Sequence, residues 1–248
     1  PGETSMKEVT RPRPTGESAR AVWTLYDLEL NPNNGIGSVV RMNPNDGTNW
    51  SLGTTSKIGQ VPHDGGLGLD GNIYFTANNP NREVTIGKID AKTGVVKYIK
   101  TANASGNAAT AHGLVRDNDG NFWFDINTGR RGLGKLDVKT DTITVYQTPP
   151  DMSPLGGAVT MDVDGKGKIW ASTPVGAVRF DPASERFTEF KSPATTVKGA
   201  ITTYGAAGDR DGNGWWAQMS VDTIGKGDVA SGKSIAVKLP SLKDQLDS

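Results

Sequence analysis

The sequence contains no cysteine, which excludes disulfides, thiolate metal sites and a cysteine nucleophile. Histidine is nearly as scarce, with two in 248 residues. No apolar run approaches the roughly 20 residues that a membrane-spanning helix requires. The 27 basic residues are balanced by 27 acidic ones, so no strongly basic surface is indicated. We therefore expect neither a membrane span nor a nucleic-acid partner.

Glycine, in contrast, is abundant, with 32 copies, and many of them lie in the turns of an internal repeat. The repeat is clearest over residues 86–98, where an Ile-Gly-Lys-Ile-Asp run and a Lys-Thr-Gly turn precede Val-Val-Lys-Tyr. Its basic residue returns every 44–47 positions, at Arg41, Lys88, Lys135, Arg179 and Lys226. A repeat of this length without a 3.6-residue hydrophobic period is typical of propeller blades, because helical repeats are shorter or strongly periodic.

Each repeat unit reads as four short strands joined by turns. In the clearest unit the strands are predicted over 66–69, 73–76, 84–90 and 95–99, with an Asp-Gly turn after the first. A large aromatic residue recurs on the second strand, at Trp23, Tyr74, Trp123, Trp170 and Trp216. Because a blade buries both of its faces, we expect these rings to pack between blades.

The fold class predicted from this pattern is all-β, a β-propeller of four-stranded antiparallel blades. Five blades are visible over residues 21–248, while residues 1–20 read as a leader or as the outer strand of a preceding blade. The strand-like run 6–10 would then be surplus to these five blades. We therefore expect the chain to be the C-terminal part of a longer propeller polypeptide, or to pair with another chain that supplies blades. A five-bladed ring with a disordered leader is the alternative.

The blade pattern D-G-N-x-W-F, I-G-K-I-D-x-K-T-G and V-x-x-Y resembles the virginiamycin B lyase (streptogramin lyase) family over roughly residues 60–240. The resemblance implies a seven-bladed propeller, so the five visible blades would be part of a six- or seven-bladed ring. It also implies a carbon–oxygen lyase that opens the ester bond of cyclic depsipeptide antibiotics by elimination. A divalent metal, Mg²⁺, and a channel-facing His and Glu set would serve that reaction. A periplasmic or extracellular location is the expectation that accompanies this reading.

The two histidines occupy one equivalent position in successive units. His63 and His112 each lie seven residues before the Asp of their Asp-Gly turn and precede an inner strand, which would place them together at the channel mouth. Neutral imidazole can act as a general base or ligate a metal, so both are candidate catalytic residues. The structural alternative is that each caps a turn or bonds to a neighbouring blade. Val159 and Gly205 are predicted at this position in the later units.

Carboxylate partners for the histidines are predicted from repeat position. Asp64 adjoins the first histidine, Asp125 follows a second strand, and both are candidate ligand-binding residues together with Tyr204. No His-x-Glu pair follows in the later units, so the catalytic Glu implied by the resemblance has no assigned position.

Two functions are consistent with these observations. One is a metal-assisted lyase or hydrolase acting on a small ester or cyclic peptide in the central channel. The other is a non-catalytic binding or interaction module, whose partner is a small-molecule ligand or another protein chain or domain that completes the propeller.

Overall fold

The computed structural model describes residues 40–42, 49–51, 62–77, 85–101, 109–128, 131–155, 159–196, 203–218 and 221–239. Within these ranges the regular elements are β-strands, apart from one short 3-10 helix at Pro193–Thr196. The predicted all-β class is therefore confirmed. The proposed leader 1–20 and the ring of Trp23 lie outside the described residues.

The strands form one hairpin and four complete antiparallel meanders, which we name blades I to IV. The hairpin pairs β1 (Val40–Met42) with β2 (Asn49–Ser51). Blade I comprises β3 (Pro62–Leu67), β4 (Ile73–Ala77), β5 (Ile86–Ile89) and β6 (Val96–Ile99). Blade II comprises β7 (Leu114–Arg116), β8 (Phe122–Ile126), β9 (Gly132–Asp137) and β10 (Thr142–Gln147). Blade III comprises β11 (Met161–Val163), β12 (Ile169–Thr173), β13 (Gly176–Asp181) and β14 (Arg186–Lys191). Blade IV comprises β15 (Thr203–Gly208), β16 (Gly214–Gln218), β17 (Thr223–Asp228) and β18 (Lys233–Lys238).

An aspartate at the first turn of a blade fixes the aromatic side chain of the second strand. In blade II, Asp117 Oδ1 accepts hydrogen bonds from the backbone N–H groups of Asp119 and Asn121, at 3.0 and 2.8 Å. Its Oδ2 accepts a third from Trp123 Nε1 at 2.8 Å. Gly120 has φ of 90° in this turn, which favours glycine. The same aspartate-to-indole bond, at 3.0 Å, recurs at Asp164–Trp170 and Asp209–Trp215.

The repeat aromatic of blade IV is therefore Trp215, and the prediction of Trp216 is wrong by one residue. Trp215 Nε1 donates to Asp209, and Lys226 Nζ lies 5.3 Å from the centroid of the Trp215 ring. Trp216 points to the other side of the strand, where it joins Trp170 in a buried cluster. The position three residues after the turn glycine, which Trp215 shares with Trp123, agrees with the hydrogen bond to Asp209 in identifying Trp215.

Successive blades pack face to face through these aromatic side chains. The Tyr74 and Phe122 rings lie 4.6 Å apart between blades I and II, and the Trp123 and Phe180 rings lie 5.5 Å apart between blades II and III. Between blades III and IV, a Cβ on Gly214 would lie 2.1 Å from the ring of Trp170. Such four-stranded blades, stacked with both faces buried, define a β-propeller. The predicted fold is confirmed.

Candidate functional site at the inner strands

Four residues occupy the same position at the start of the four inner strands. In each blade, the residue that begins the first turn donates its backbone N–H to the carbonyl oxygen four residues further along the chain. The shared position lies five residues before that turn residue. These residues are His63, His112, Val159 and Tyr204. The predicted equivalent in blade IV was Gly205, which is wrong by one residue because that alignment started from Trp216 rather than Trp215. Since inner strands line the channel of a propeller, this position lies beside the channel.

The two histidine rings stack on each other across the boundary between blades I and II. Their centroids are 3.4 Å apart and the ring planes are inclined by 33°. The His63 side chain is 37% exposed, and its Nδ1 lies 3.0 Å from Asp64 Oδ1. With the carboxylate as acceptor, Nδ1 carries the proton and Nε2 of neutral His63 keeps its lone pair. A ligand at the mouth can therefore meet a basic nitrogen backed by a carboxylate.

His112 is buried at 7% exposure and bonds to the next blade. Its Nδ1 lies 3.0 Å from the carbonyl oxygen of Val159, which can only accept, so Nδ1 is the donor. Burial lowers the pKa of His112, and the nearby His63 lowers it further, whereas the Val159 carbonyl and Asp64 oppose the shift. His112 is thus held as a neutral imidazole at neutral pH. The bond to a neighbouring blade, the alternative role for the histidines, is observed for this one.

Two aspartate side chains accept hydrogen bonds from the inner strand that carries His112. Asp125 Oδ1 accepts from the backbone N–H groups of His112 and Gly113, at 2.8 and 2.6 Å. Asp64 Oδ2, from blade I, accepts from the N–H of Leu114 at 3.3 Å. Three consecutive backbone donors therefore end on carboxylate oxygens. Asp125 is completely buried, and its Oδ2 has no hydrogen-bond partner.

The environment of Asp125 keeps its carboxyl protonated well above the usual range. Burial raises the pKa of Asp125 from 3.8 to about 7; the bonds to His112 and Gly113 lower it, while the charge of Asp64 contributes to the rise. The Asp125 carboxyl consequently gains or loses its proton near neutral pH.

We expect this raised pKa to make stability depend on pH. A group that is more easily protonated in the folded state favours folding at low pH, so its contribution is lost as pH rises from about 4 to 7. A tenfold difference in proton affinity between the folded and unfolded protein corresponds to about 1.4 kcal/mol of stability. Denaturant melts should show that Asp125→Asn gains stability relative to wild type between pH 5 and pH 8. An unchanged difference between the two proteins would mean that Asp125 does not titrate there.

The structure brings four of the five candidate site residues together. His63, His112, Asp64 and Asp125 converge at the boundary of blades I and II, with Asp125 behind the inner strand and without exposed surface. Tyr204 lies at the equivalent position of blade IV and is 40% exposed. Their roles remain predictions.

Sequence reasoning missed one residue of this cluster, Thr76. Its hydroxyl donates to the His112 carbonyl oxygen at 2.8 Å and accepts from the Asp64 N–H at 3.0 Å. Thr76 holds the place in blade I that Asp125 holds in blade II, and that repeat position was the available signal.

A metal finds no obvious ligand set here. Among the described residues, no group of three or more His, Asp or Glu side chains could hold a metal ion. The Mg²⁺ expectation remains a prediction. No helix in the described ranges is long and apolar enough to cross a membrane.

A second surface of interest is the side of blade IV that faces away from blade III. We call it the apolar face; it consists of Tyr204, Ile224, Ile235 and Val237, which are 36–50% exposed. A groove of about 270 Å³ lies beside it, lined in part by Ala207, Trp215 and Ala217. In blades I to III the residues equivalent to Ile224 are wholly buried against the next blade: Ile86, Leu133 and Ala177. Among the described residues, nothing covers the apolar face in this way.

The fold places the chain in the class of β-propeller proteins. No family model matches the chain, and no curated protein matches its sequence. Solved structures do match. Virginiamycin B lyase from Staphylococcus aureus superposes with a TM-score of 0.65 and 21% identity, over 84% of this chain and 65% of that one. A catalytically inactive His→Ala variant of that lyase, solved with quinupristin, gives 0.66 and 21%, over 84% and 64%. A chain of the nidogen/laminin complex gives 0.56 and 14%, over 82% and 72%.

The resemblance to virginiamycin B lyase is therefore confirmed as a likeness of fold. The chain spans about 65% of the length of the lyase structure that it matches. The nidogen/laminin match shows that the same architecture also occurs in a protein–protein complex.

Proposed function

We propose that this chain carries an acid–base site of the lyase or hydrolase type, which acts on a small ester or cyclic peptide at the mouth of the central channel. The observation that supports the proposal is the Asp64–His63 pair stacked on His112. A carboxylate that orients one nitrogen of an imidazole leaves the other nitrogen as a general base. The site is at the inner strands, where a channel ligand would lie.

His63 is the residue that would move a proton. In an elimination, its Nε2 takes the proton from the carbon adjacent to the one that bears the ester's alkyl oxygen. The C–H electrons form a new C=C bond, the C–O bond breaks, and its electrons leave with the carboxylate product. Asp64 stabilises the imidazolium that results, and His112, held neutral by burial, adds no repelling charge beside it. In a hydrolysis, the same nitrogen would take its proton from water.

The solved lyase variant supports a histidine role by analogy. That variant lacks one histidine side chain, is named as catalytically inactive and was solved with quinupristin. Quinupristin is therefore the first compound to test on this chain.

The experiment incubates the protein with quinupristin and follows the compound by liquid chromatography and mass spectrometry. Elimination within the ring yields a linear isomer of unchanged mass and altered retention, whereas hydrolysis adds one water. Parallel samples with added Mg²⁺ and with a chelator test the metal expectation. An unaltered compound in every sample, together with no heat of binding in calorimetry, would overturn the proposal.

A second candidate function, an interaction module, is favoured by the apolar face of blade IV. Ile224 lies at the position where blades I to III bury Ile86, Leu133 and Ala177. Val237 lies at the position where blades I and III bury Ile99 and Phe190. A face with this pattern fits another blade, and we propose that another protein chain supplies it; a second copy of this chain is the occupant to test first. Burial of such side chains stabilises by about 1.5–3 kcal/mol each.

We expect the wild-type chain to associate as its concentration rises, and Val237→Glu to weaken that association at least tenfold. Light scattering coupled to size exclusion measures both. Val95→Glu is the matched control, since Val95 is 67% exposed on a turn of blade I and should leave association unchanged. A wild-type chain that stays monomeric throughout, or a Val95→Glu effect as large as that of Val237→Glu, would count against this module.

A further inference from the structure

The position of Asp125 is filled by hydroxyl residues in the neighbouring blades. Blade I carries Thr76 there and blade III carries Ser172, and each hydroxyl accepts a hydrogen bond from an inner-strand N–H. The three equivalent bonds are Asp64 N–H to Thr76 Oγ1 at 3.0 Å, Gly113 N–H to Asp125 Oδ1 at 2.6 Å and Thr160 N–H to Ser172 Oγ at 3.2 Å. A neutral hydroxyl is thus sufficient to hold an inner strand.

A carboxyl at this position is costly where a hydroxyl would serve. Asp125 has no exposed surface, and its Oδ2 lacks a hydrogen-bond partner. Burying such a group without full hydrogen bonding is unfavourable. Unsatisfied buried polar atoms in a native fold require an explanation, and a functional role is a frequent one. Blade IV carries Ala217 at the same place, which shows that the fold does not depend on a charge there.

We propose that Asp125 is a positioning residue that couples its own protonation to the placement of His112. Ionised Asp125 holds the His112 and Gly113 N–H groups with two charge-assisted bonds, which are about twice as strong as neutral ones. Protonated Asp125 holds them more weakly, so the strand that carries His112 loosens against His63. The consequence for turnover rests on the proposed acid–base function, whereas the coupling itself does not.

The groups around Asp125 are few enough to assign the effect. Its titratable neighbours are His112 on the adjoining strand and Asp64 in blade I, and the His63 ring stacks on that of His112. On the third strand Asp125 pairs with Leu133, and Lys135 lies over the Trp123 ring at 5.4 Å from its centroid. Blade III presents the Val159 carbonyl to His112. Because burial raises the pKa of Asp125 to about 7, its protonation changes near neutral pH.

The test uses the fact that the chain has only two histidines, so their ring signals are readily resolved by NMR. In wild type, we expect the His112 ring signals to show an inflection near pH 7 in addition to the titration of the ring itself. Asp125→Asn and Asp125→Ser should both lose this inflection, and the serine variant reproduces the residue that blade III uses. Ser172→Ala is the matched control, because it removes the equivalent bond without touching a charge and should keep the inflection.

Persistence of the inflection in both Asp125 variants, or its absence from wild type, would overturn the proposal. If neither variant folds, the ¹³C signal of the Asp125 carboxyl in wild type decides: titration near its usual value of 3.8, instead of about 7, would overturn it. No substrate enters these measurements. Failure both to convert and to bind quinupristin, with the inflection present, would therefore contradict the proposed enzyme function and leave the coupling standing.

Discussion

Trp170→Ala is expected to destabilise the protein by about 3–5 kcal/mol, the cost of removing a large buried aromatic side chain. The Trp170 ring has no exposed surface and packs on Phe190 with the ring centroids 5.2 Å apart. Gly214 of blade IV approaches the ring so closely that no side chain fits between them. The substitution therefore opens a cavity between two blades, and denaturant melts measure its cost.

The loss of the ring also removes a hydrogen bond from a buried carboxylate. Asp164 Oδ2 accepts from Trp170 Nε1 and from Arg179 Nε, both at 3.0 Å. Trp170→Phe keeps most of the ring and loses only the first of these bonds, so we expect about 1.5–3 kcal/mol for it.

Trp215→Ala is the matched control for the cavity. Trp215 makes the equivalent bond to Asp209 but lies on the side of blade IV where no described blade covers it, so its cost should be clearly smaller. A loss below about 1 kcal/mol for Trp170→Ala, or equal losses for both tryptophans, would contradict packing between blades as the source of stability.

His63→Ala is expected to lower turnover by about 10²–10⁴-fold, the usual contribution of a general base. His63 is the more exposed of the stacked histidines, and its Nδ1 is oriented by Asp64. Stability should change little, because the side chain is not part of the buried core. The measurement is kcat/KM on the compound that the quinupristin experiment identifies as substrate, with a denaturant melt alongside.

Two further variants separate the base from its surroundings. Asp64→Asn keeps the size of the side chain but removes the charge that stabilises the imidazolium, so it should lose less turnover than His63→Ala. Val95→Ala changes an exposed residue of a turn and should behave as wild type. Retention of full turnover by His63→Ala would assign the chemistry to another group and would refute His63 as the base.

The sequence alone was sufficient for the fold class, because each blade repeats its own local signals. A short strand, an Asp-Gly turn and an aromatic strand recur with enough regularity to predict four-stranded blades and to place His63 and His112 at one equivalent position. Repeat position also led to Asp64 and Asp125 as their neighbours. These inferences depend on spacing along the chain, which the repeat preserves.

The tertiary structure was needed wherever the answer depends on contacts between blades. Spacing from the turn glycine does distinguish Trp215 from Trp216, since Trp215 follows Gly212 by three residues as Trp123 follows Gly120, and the choice of Trp216 also displaced Tyr204 to Gly205. Spacing cannot say that His63 stacks on His112, or that Asp125 is sealed behind the inner strand with one oxygen unpaired. Burial and the pKa of a carboxyl are set by side chains from the adjoining blade, which lie about one repeat away in sequence. For that reason the order of strands within a blade can be predicted from the sequence, whereas the chemistry of the site is determined only when blades I, II and III are packed together.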